Sequence, residues 1–154
     1  LFITRRMMIF ASEDCSCDPR ALDLAVAVDR AVERIGMPEG KIPLSQAAVY
    51  LACCSKSNAS YMAMHAMDRV LTENPELEIP KRLRNAPTDL MKEMGNAKGY
   101  NYPHDYPGGF VPERYLPDKI KNLVVYEPTD RGLDAQIRER LAHYRRLIAE
   151  SQRK

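Results

Sequence analysis

Arg82–Asp118 reads RLRNAPTDLMKEMGNAKGYNYPHDYPGGFVPERYLPD, and what this stretch can and cannot fold into sets the architecture of the chain. It opens as a helix, with Asn85 as N-cap and Pro87 in the first turn. Ala86, Leu90 and Met94 form an i, i+4, i+8 stripe, and Gly95 supplies a stop. Residues 100–117 are not helical. Prolines stand at 103, 107, 112 and 117, Gly108-Gly109 is paired, and aromatics occupy 100, 102, 106, 110 and 115. Proline removes backbone donors and blocks helix interiors. A segment so rich in rings is unlike a disordered linker. The expectation is an ordered, irregular arm over 100–117, pinned by its rings against a helical body.

Working outward, that body is readable. Phe2 to Ser12 reads as the end of a helix, with Ile3, Met7 and Phe10 on one face. Asp18-Pro19 is an N-cap followed by proline at the first helical position. The helix it starts runs to Ile35 on the stripe Ala21, Ala25, Val28, Val32, Ile35, and Gly36 ends it. Met37-Pro38-Glu39-Gly40 is a turn. Pro43 to Cys54 is a third helix with Leu44, Ala47, Ala48 and Leu51 inward. Ser57 caps a fourth over Asn58–Glu73, with Ala63, Met67, Val70 and Leu71 inward, and Asn74-Pro75 breaks it. Residues 79–84 read as extended, because Pro80 restricts its predecessor. Beyond the arm, Leu123–Tyr126 is strand-like. Thr129 or Asp130 then caps a last helix to Ser151, with Leu133, Ile137, Leu141, Tyr144 and Ile148 as its stripe. The predicted fold class is all-α: about six helices in an antiparallel, bundle-like array with one long proline- and aromatic-rich excursion.

Composition narrows the function classes. The chain has 154 residues, 45% of them hydrophobic, enough for one domain with a core. A net charge of +2 gives no strong field for nucleic acid or a membrane. The longest apolar run, Ala47–Cys54, is too short to span a bilayer. No secretory signal is visible, so the reading is a soluble cytoplasmic protein. Cys15, Cys17, Cys53 and Cys54 are then thiols. Their spacing lacks the paired-cysteine pattern of zinc sites, and Cys53 and Cys54 point about 100° apart on a helix. Small buried residues are the expected role of Cys53 and Cys54.

Catalytic motifs are missing. A P-loop needs Gly-x4-Gly-Lys-Ser/Thr to cradle phosphates, and Gly95-Asn-Ala-Lys98-Gly99 lacks the Ser/Thr and the preceding strand. His104-Asp105 could suggest acid–base chemistry, but such a pair in a turn more often makes local hydrogen bonds. His65 and His143 also read as structural. A small helical enzyme built on His104 and Asp105 is the weakest of three readings. A nucleic-acid-binding module is the second. It would use Arg82, Arg84, Lys92 and Lys98, together with Arg131, Arg138, Arg140, Arg145, Arg146, Arg153 and Lys154 of the last helix. Asp130, Asp134, Glu139 and Glu150 offset much of that last charge, which favours a solvated face there. The first reading is self-association. Met62, Met64 and Met67 spread around one helix and cannot all face a single inner stripe, so some of that apolar surface is left for a partner.

Several blocks also resemble, in order, one known family. LFITRRMMIFASED, DPRAL, ERIGMPEG, SQAAVYLA, KSN, LRNAPT, LMKEMG, KGYNYPHD, GGFVPERYLPD and YEPTDRG are similar to the C-terminal region of the replication-associated recombination protein A family. These AAA+ ATPases include the Werner-helicase-interacting protein of eukaryotes. The chain departs from the usual pattern at Cys15-Ser16-Cys17 and Met94-Gly95-Asn96-Ala97. The resemblance implies that residues 1–154 are one helical C-terminal oligomerisation domain, similar to a clamp-loader collar. It would be a fragment of a longer protein whose ATPase core, with its ATP and Mg, lies upstream. It further implies a homo-tetramer, a DNA-dependent ATPase at stalled or damaged replication forks, and DNA and single-strand-binding protein as partners. A bacterial member would be nucleoid-associated. The fragment itself would hold no cofactor and catalyse nothing.

Overall fold

The computed structural model describes residues 1–153 and contains six α-helices among them. They are α1 (Phe2–Asp14), α2 (Pro19–Ile35), α3 (Lys41–Cys53), α4 (Ala59–Glu73), α5 (Asp89–Glu93) and α6 (Gly132–Ser151). No strand forms among the described residues, and the all-α class holds. The chain divides into two compact units, one of residues 1–68 with 125–140, the other of 69–124 with 141–154.

In the first unit α1, α2 and α3 pack on one another. Alanine dominates the contact. Ala11, Cys15, Ala21, Ala25 and Leu51 form one buried cluster, and Val28, Val32 and Ala47 a second. Small side chains let helix backbones approach closely, so the core is thin but dense. α2 starts as its sequence requires: the Asp18 carboxylate accepts from Arg20 N at 3.1 Å, with Pro19 in the first turn. The other Asp18 oxygen accepts from Tyr50 Oη at 2.9 Å, tying α3 to this cap. Gly36 N closes α2 on Val32 O at φ +75°, a backbone that glycine adopts freely.

Some expected faces rotate. On α1 the buried positions are Thr4 and Ala11, while Ile3 is exposed. The Thr4 hydroxyl reaches the Asp29 carboxylate on α2, so a polar pair takes the place expected of an apolar one. Ile35 and Leu71 are also exposed, since each lies at the last turn of its helix, beyond the packed surface. Ala48 on α3 is exposed, and α3 begins at Lys41, two residues before Pro43, because the first helical turn tolerates proline. The buried cysteines are Cys15 and Cys17; Cys53 is exposed, against the sequence expectation, and Cys54 meets that expectation only in part, half-buried against the core. α3 stops at Cys53, and its last turn directs Cys53 outward.

In the second unit, α5 is only five residues, and its N-cap is Thr88, whose hydroxyl accepts from Met91 N at 3.3 Å. Asn85 and Ala86 lie outside the helix. The sequence reading places the cap at Asn85, three residues too early; the Thr88 hydroxyl, which reaches Met91 N, is the cap that forms. Residues 81–83 form a 3₁₀ turn rather than a fully extended run. The arm carries two further 3₁₀ turns, Pro103–Asp105 and Pro107–Gly109. It is ordered by Phe110, which stacks on Tyr144 of α6 (centroids 4.3 Å apart, planes 17°), and by Ser151 Oγ donating to Pro112 O at 2.7 Å. Val111 is buried. Tyr100, Tyr102 and Tyr115 are exposed, so only some of the rings anchor the arm. Leu123–Tyr126 forms no strand: Leu123 N turns back to Ile120 O at 2.9 Å, and an extended segment without a partner has no ladder to join.

Candidate functional site

The first unit carries an open apolar groove of about 490 Å³. α1 contributes Met8, Ile9, Ser12 and Glu13, α2 contributes Leu22, and α4 contributes Ser60, Tyr61 and Met64. The spacing explains the membership. Residues 8, 9 and 12, and likewise 60, 61 and 64, sit on one helical face at i, i+1 and i+4. Ile9, Leu22 and Met64 are between 41% and 50% exposed, so the groove is apolar surface held in contact with water. Tyr61 is steadied by His65, whose ring meets it edge-on at 4.4 Å and 84°. Of the three methionines singled out in the sequence, only Met64 lines the groove. Met62 is 52% exposed and lies elsewhere on α4, and Met67 is half-buried. Sequence reasoning does not find Ile9, Leu22 and Tyr61. Their one signal is negative: each falls off the inner stripe of its helix.

A buried carboxylate organises the neighbouring loops. Asp134 is 1% exposed and accepts from Ser57 Oγ (2.6 Å), Thr129 Oγ1 (3.0 Å), Thr129 N (3.1 Å) and Tyr126 Oη (3.1 Å). Burial pushes its pKa upward, but the hydrogen bonds from Ser57, Thr129 and Tyr126 outweigh this and hold it below the ordinary carboxylate value. In sequence Asp134 reads as a solvated charge on the last helix; it is instead the most buried residue of α6. The helix starts at Gly132, later than expected, because Leu133 N is held by Cys17 O at 2.8 Å. Gly132 has φ +50°, and a Cβ there would lie 2.6 Å from Cys17 O. Ser57 also accepts from Ala59 N at 3.3 Å, so it both starts α4 and anchors Asp134.

Of the candidate nucleic-acid residues, Arg82, Arg84, Lys92 and Lys98 lie in the second unit, and three of these four are engaged within the chain. Arg84 donates to Ile79 O (2.7 Å) and Glu78 (2.5 Å). Arg82 bonds Arg114 O and pairs with Glu113 at 3.7 Å. Lys92 pairs with Asp89 at 3.0 Å, one turn away on α5. Lys98 alone of the four is exposed with no hydrogen bond or ion pair among the described residues. It lies in a turn of alternating left-handed residues, Gly95, Ala97 and Gly99. Arg131, Arg138, Arg140, Arg145, Arg146 and Arg153 are exposed, and Lys154 lies outside the described residues. Arg82, Arg114 and Lys121 line a polar cleft of about 410 Å³ with Glu113, Asp118 and Ser151. His104 is exposed and tilts against Tyr102 at 5.1 Å, and His143 lies beside Tyr144. No group of His, Cys, Asp or Glu able to hold a metal occurs among the described residues, and none of their helices is long and apolar enough to cross a membrane.

Residues 1–145 match the family model described as MgsA AAA+ ATPase C terminal. The chain is 45% identical over 148 residues to Replication-associated recombination protein A of Coxiella burnetii, covering 95% of this chain and 34% of that protein. It is 44% identical over 144 residues to the protein of the same name from Escherichia coli (strain K12), covering 92% and 32%. The ATPase WRNIP1 of Dictyostelium discoideum is 41% identical over 130 residues, covering 82% and 15%. The chain thus spans about a third of the length of its bacterial relatives or less.

Proposed function

The chain belongs to the MgsA AAA+ ATPase C-terminal family, and from that premise we propose that it is the assembly module of a longer AAA+ ATPase acting in DNA replication and recombination. The supporting observation is the groove of α1, α2 and α4, where Met8, Ile9, Leu22, Tyr61 and Met64 hold apolar surface against water. Burying such a surface between copies is favourable by roughly 25 cal/mol per Å² of apolar area. A closed symmetric assembly covers it without leaving a free end. We take the assembly to be a tetramer, arranged like a clamp-loader collar. The intact protein would bind ATP and Mg in a part of the sequence other than residues 1–154. It would work on stalled or damaged forks in the cytoplasm, at the nucleoid in bacteria, with DNA and single-strand-binding protein as partners. The module contributes association and not hydrolysis, because its sequence carries no phosphate-binding loop.

Multi-angle light scattering over a concentration series tests this. The wild-type chain should be a small closed oligomer, insensitive to salt, and Met64→Glu with Leu22→Glu should release folded monomers. A wild-type monomer at high micromolar concentration in low and high salt would end the assembly reading.

One observation favours a second reading. Lys98 has no partner among the described residues, and Tyr100 and Tyr102 beside it are 47% and 53% exposed. A free ammonium next to exposed rings suits phosphate contact with base stacking. Binding of that kind would weaken as salt rises, whereas an apolar interface would not. Titrating single-stranded DNA against wild type and Lys98→Ala at two salt concentrations separates the readings.

A further inference from the structure

Two thiols far apart in sequence meet beside an ammonium group. Cys15 closes α1 and is fully buried. Cys54 caps α3, is half-buried, and packs against the cluster that contains Cys15. The backbone enforces the meeting. Ser57 N donates to Asp14 O at 2.7 Å and Ser16 N to Ser57 O at 3.1 Å, which lays the chain leaving α3 across the end of α1. Lys56 folds back over this junction. Its Nζ donates to Leu51 O (2.5 Å) and Cys54 O (3.0 Å), lies 3.4 Å from Cys54 Sγ, and sits 5.2 Å above the Phe10 ring. Burial first, and then the neighbouring Cys54, pushes Cys15 up to about 12. The other cysteines are differently placed: Cys17 packs under Gly132, and Cys53 faces solvent.

A half-buried thiol, a cation held beside its sulfur and a fully buried second thiol in the cluster it packs against are the parts of a peroxide-responsive pair. We propose that Cys54 is an oxidation site for hydrogen peroxide and that Cys15 is its resolving partner. The Cys54 sulfur attacks one peroxide oxygen; the S–O bond forms, the O–O bond breaks, and the departing hydroxide takes a proton and leaves as water. Cys54 is then a sulfenic acid, its sulfur oxidised by two electrons and the peroxide reduced by two. The Cys15 sulfur next attacks the Cys54 sulfur. The S–S bond forms, the S–O bond breaks, and the hydroxyl leaves as a second water with the Cys15 proton. Two thiols and one peroxide give one disulfide and two waters. Lys56 holds the developing negative charge on Cys54 and relays both protons: the one given to the first departing oxygen is replaced by the Cys54 thiol proton, and the one given to the second is replaced by the Cys15 thiol proton. The product ties the end of α1 to the end of α3. Nothing in this step depends on the groove or on the oligomeric state.

The test uses the full chain in a Cys17→Ser, Cys53→Ser background, which leaves only the two thiols in question. The folded protein is treated with hydrogen peroxide, remaining thiols are alkylated, and tryptic peptides are mapped. The expected result is loss of both thiols and a peptide of residues 7–20 joined to residues 42–56, released by dithiothreitol. Lys56→Met should slow thiol loss several-fold. In Cys54→Ser, Cys15 should stay reduced under the same treatment. Persistence of both thiols would overturn the proposal. So would over-oxidation of Cys54 with Cys15 untouched, a Cys54–Lys56 cross-link, or a disulfide found only between separate chains.

Discussion

Replacing Asp134 with Ala should be the most destabilising single change in the first unit, and the structure indicates how large the loss should be. The carboxylate accepts four hydrogen bonds from three residues that the sequence scatters over 57, 126 and 129. Removing it does not cost four times one bond. Tyr126 and Thr129 are half-buried, so their hydroxyls can turn to water. Ser57 is 2% exposed and cannot, and the Thr129 N–H is fixed by its backbone. Hydrogen bonds to a charged group contribute about 1.5–3 kcal/mol each, and a stranded buried donor adds its desolvation. Two stranded donors therefore put the loss at about 3–5 kcal/mol, a large share of an ordinary domain's stability. Asp134→Asn keeps the shape and one acceptor and should lose roughly half as much. Urea unfolding at neutral pH reads these differences directly. The pH dependence adds a second check. The folded carboxyl titrates below its unfolded value near 3.8, so its contribution is present above that value and is lost as pH falls through the folded one. Wild type and Asp134→Ala should converge in stability at strongly acid pH. A loss below about 1 kcal/mol at neutral pH, or curves that stay parallel into acid, would refute the account of Asp134 as the anchor of these loops.

The same geometry sets three further outcomes. Gly132→Ala puts a Cβ against Cys17 O at 2.6 Å on a backbone at φ +50°, and thermal unfolding should show a loss of about 2 kcal/mol or more. Ala97→Gly should do the opposite, because Ala97 sits at φ +59°, and a gain of up to about 1 kcal/mol should appear in the same assay. Stability should fall on the alkaline side. Cys15 is pushed from 9.0 to about 12 and Cys17 also upward, so the thiols' contribution is full below about 9 and lost as pH rises through their folded values. Circular dichroism melts from pH 8 to 11 would show it, and an unchanged midpoint would contradict it.

The sequence by itself determined the helices and where the regular pattern stops. Asp18-Pro19 and Gly36 bound α2 within the chain's own chemistry, since caps and proline act over three or four residues. The prolines of 103–117 excluded a long helix for the same local reason. Ordered blocks such as KGYNYPHD and YEPTDRG carried the family, because a run of residue identities survives without coordinates. What tertiary structure decided was rotation, depth and partnership. Ile3 yields its place to Thr4 only because Asp29 of α2 stands opposite. Asp134 becomes a buried hub only because Ser57 and Thr129 arrive from elsewhere with donors. Cys15 is covered while Cys53 is not, a distinction fixed by which end of which helix the chain crosses next. The groove was illegible for the same reason: Ile9, Leu22, Tyr61 and Met64 become one surface only when α1, α2 and α4 bring them around one groove. Periodicity reports a helix's own faces, whereas burial and charge depend on groups dozens of residues away.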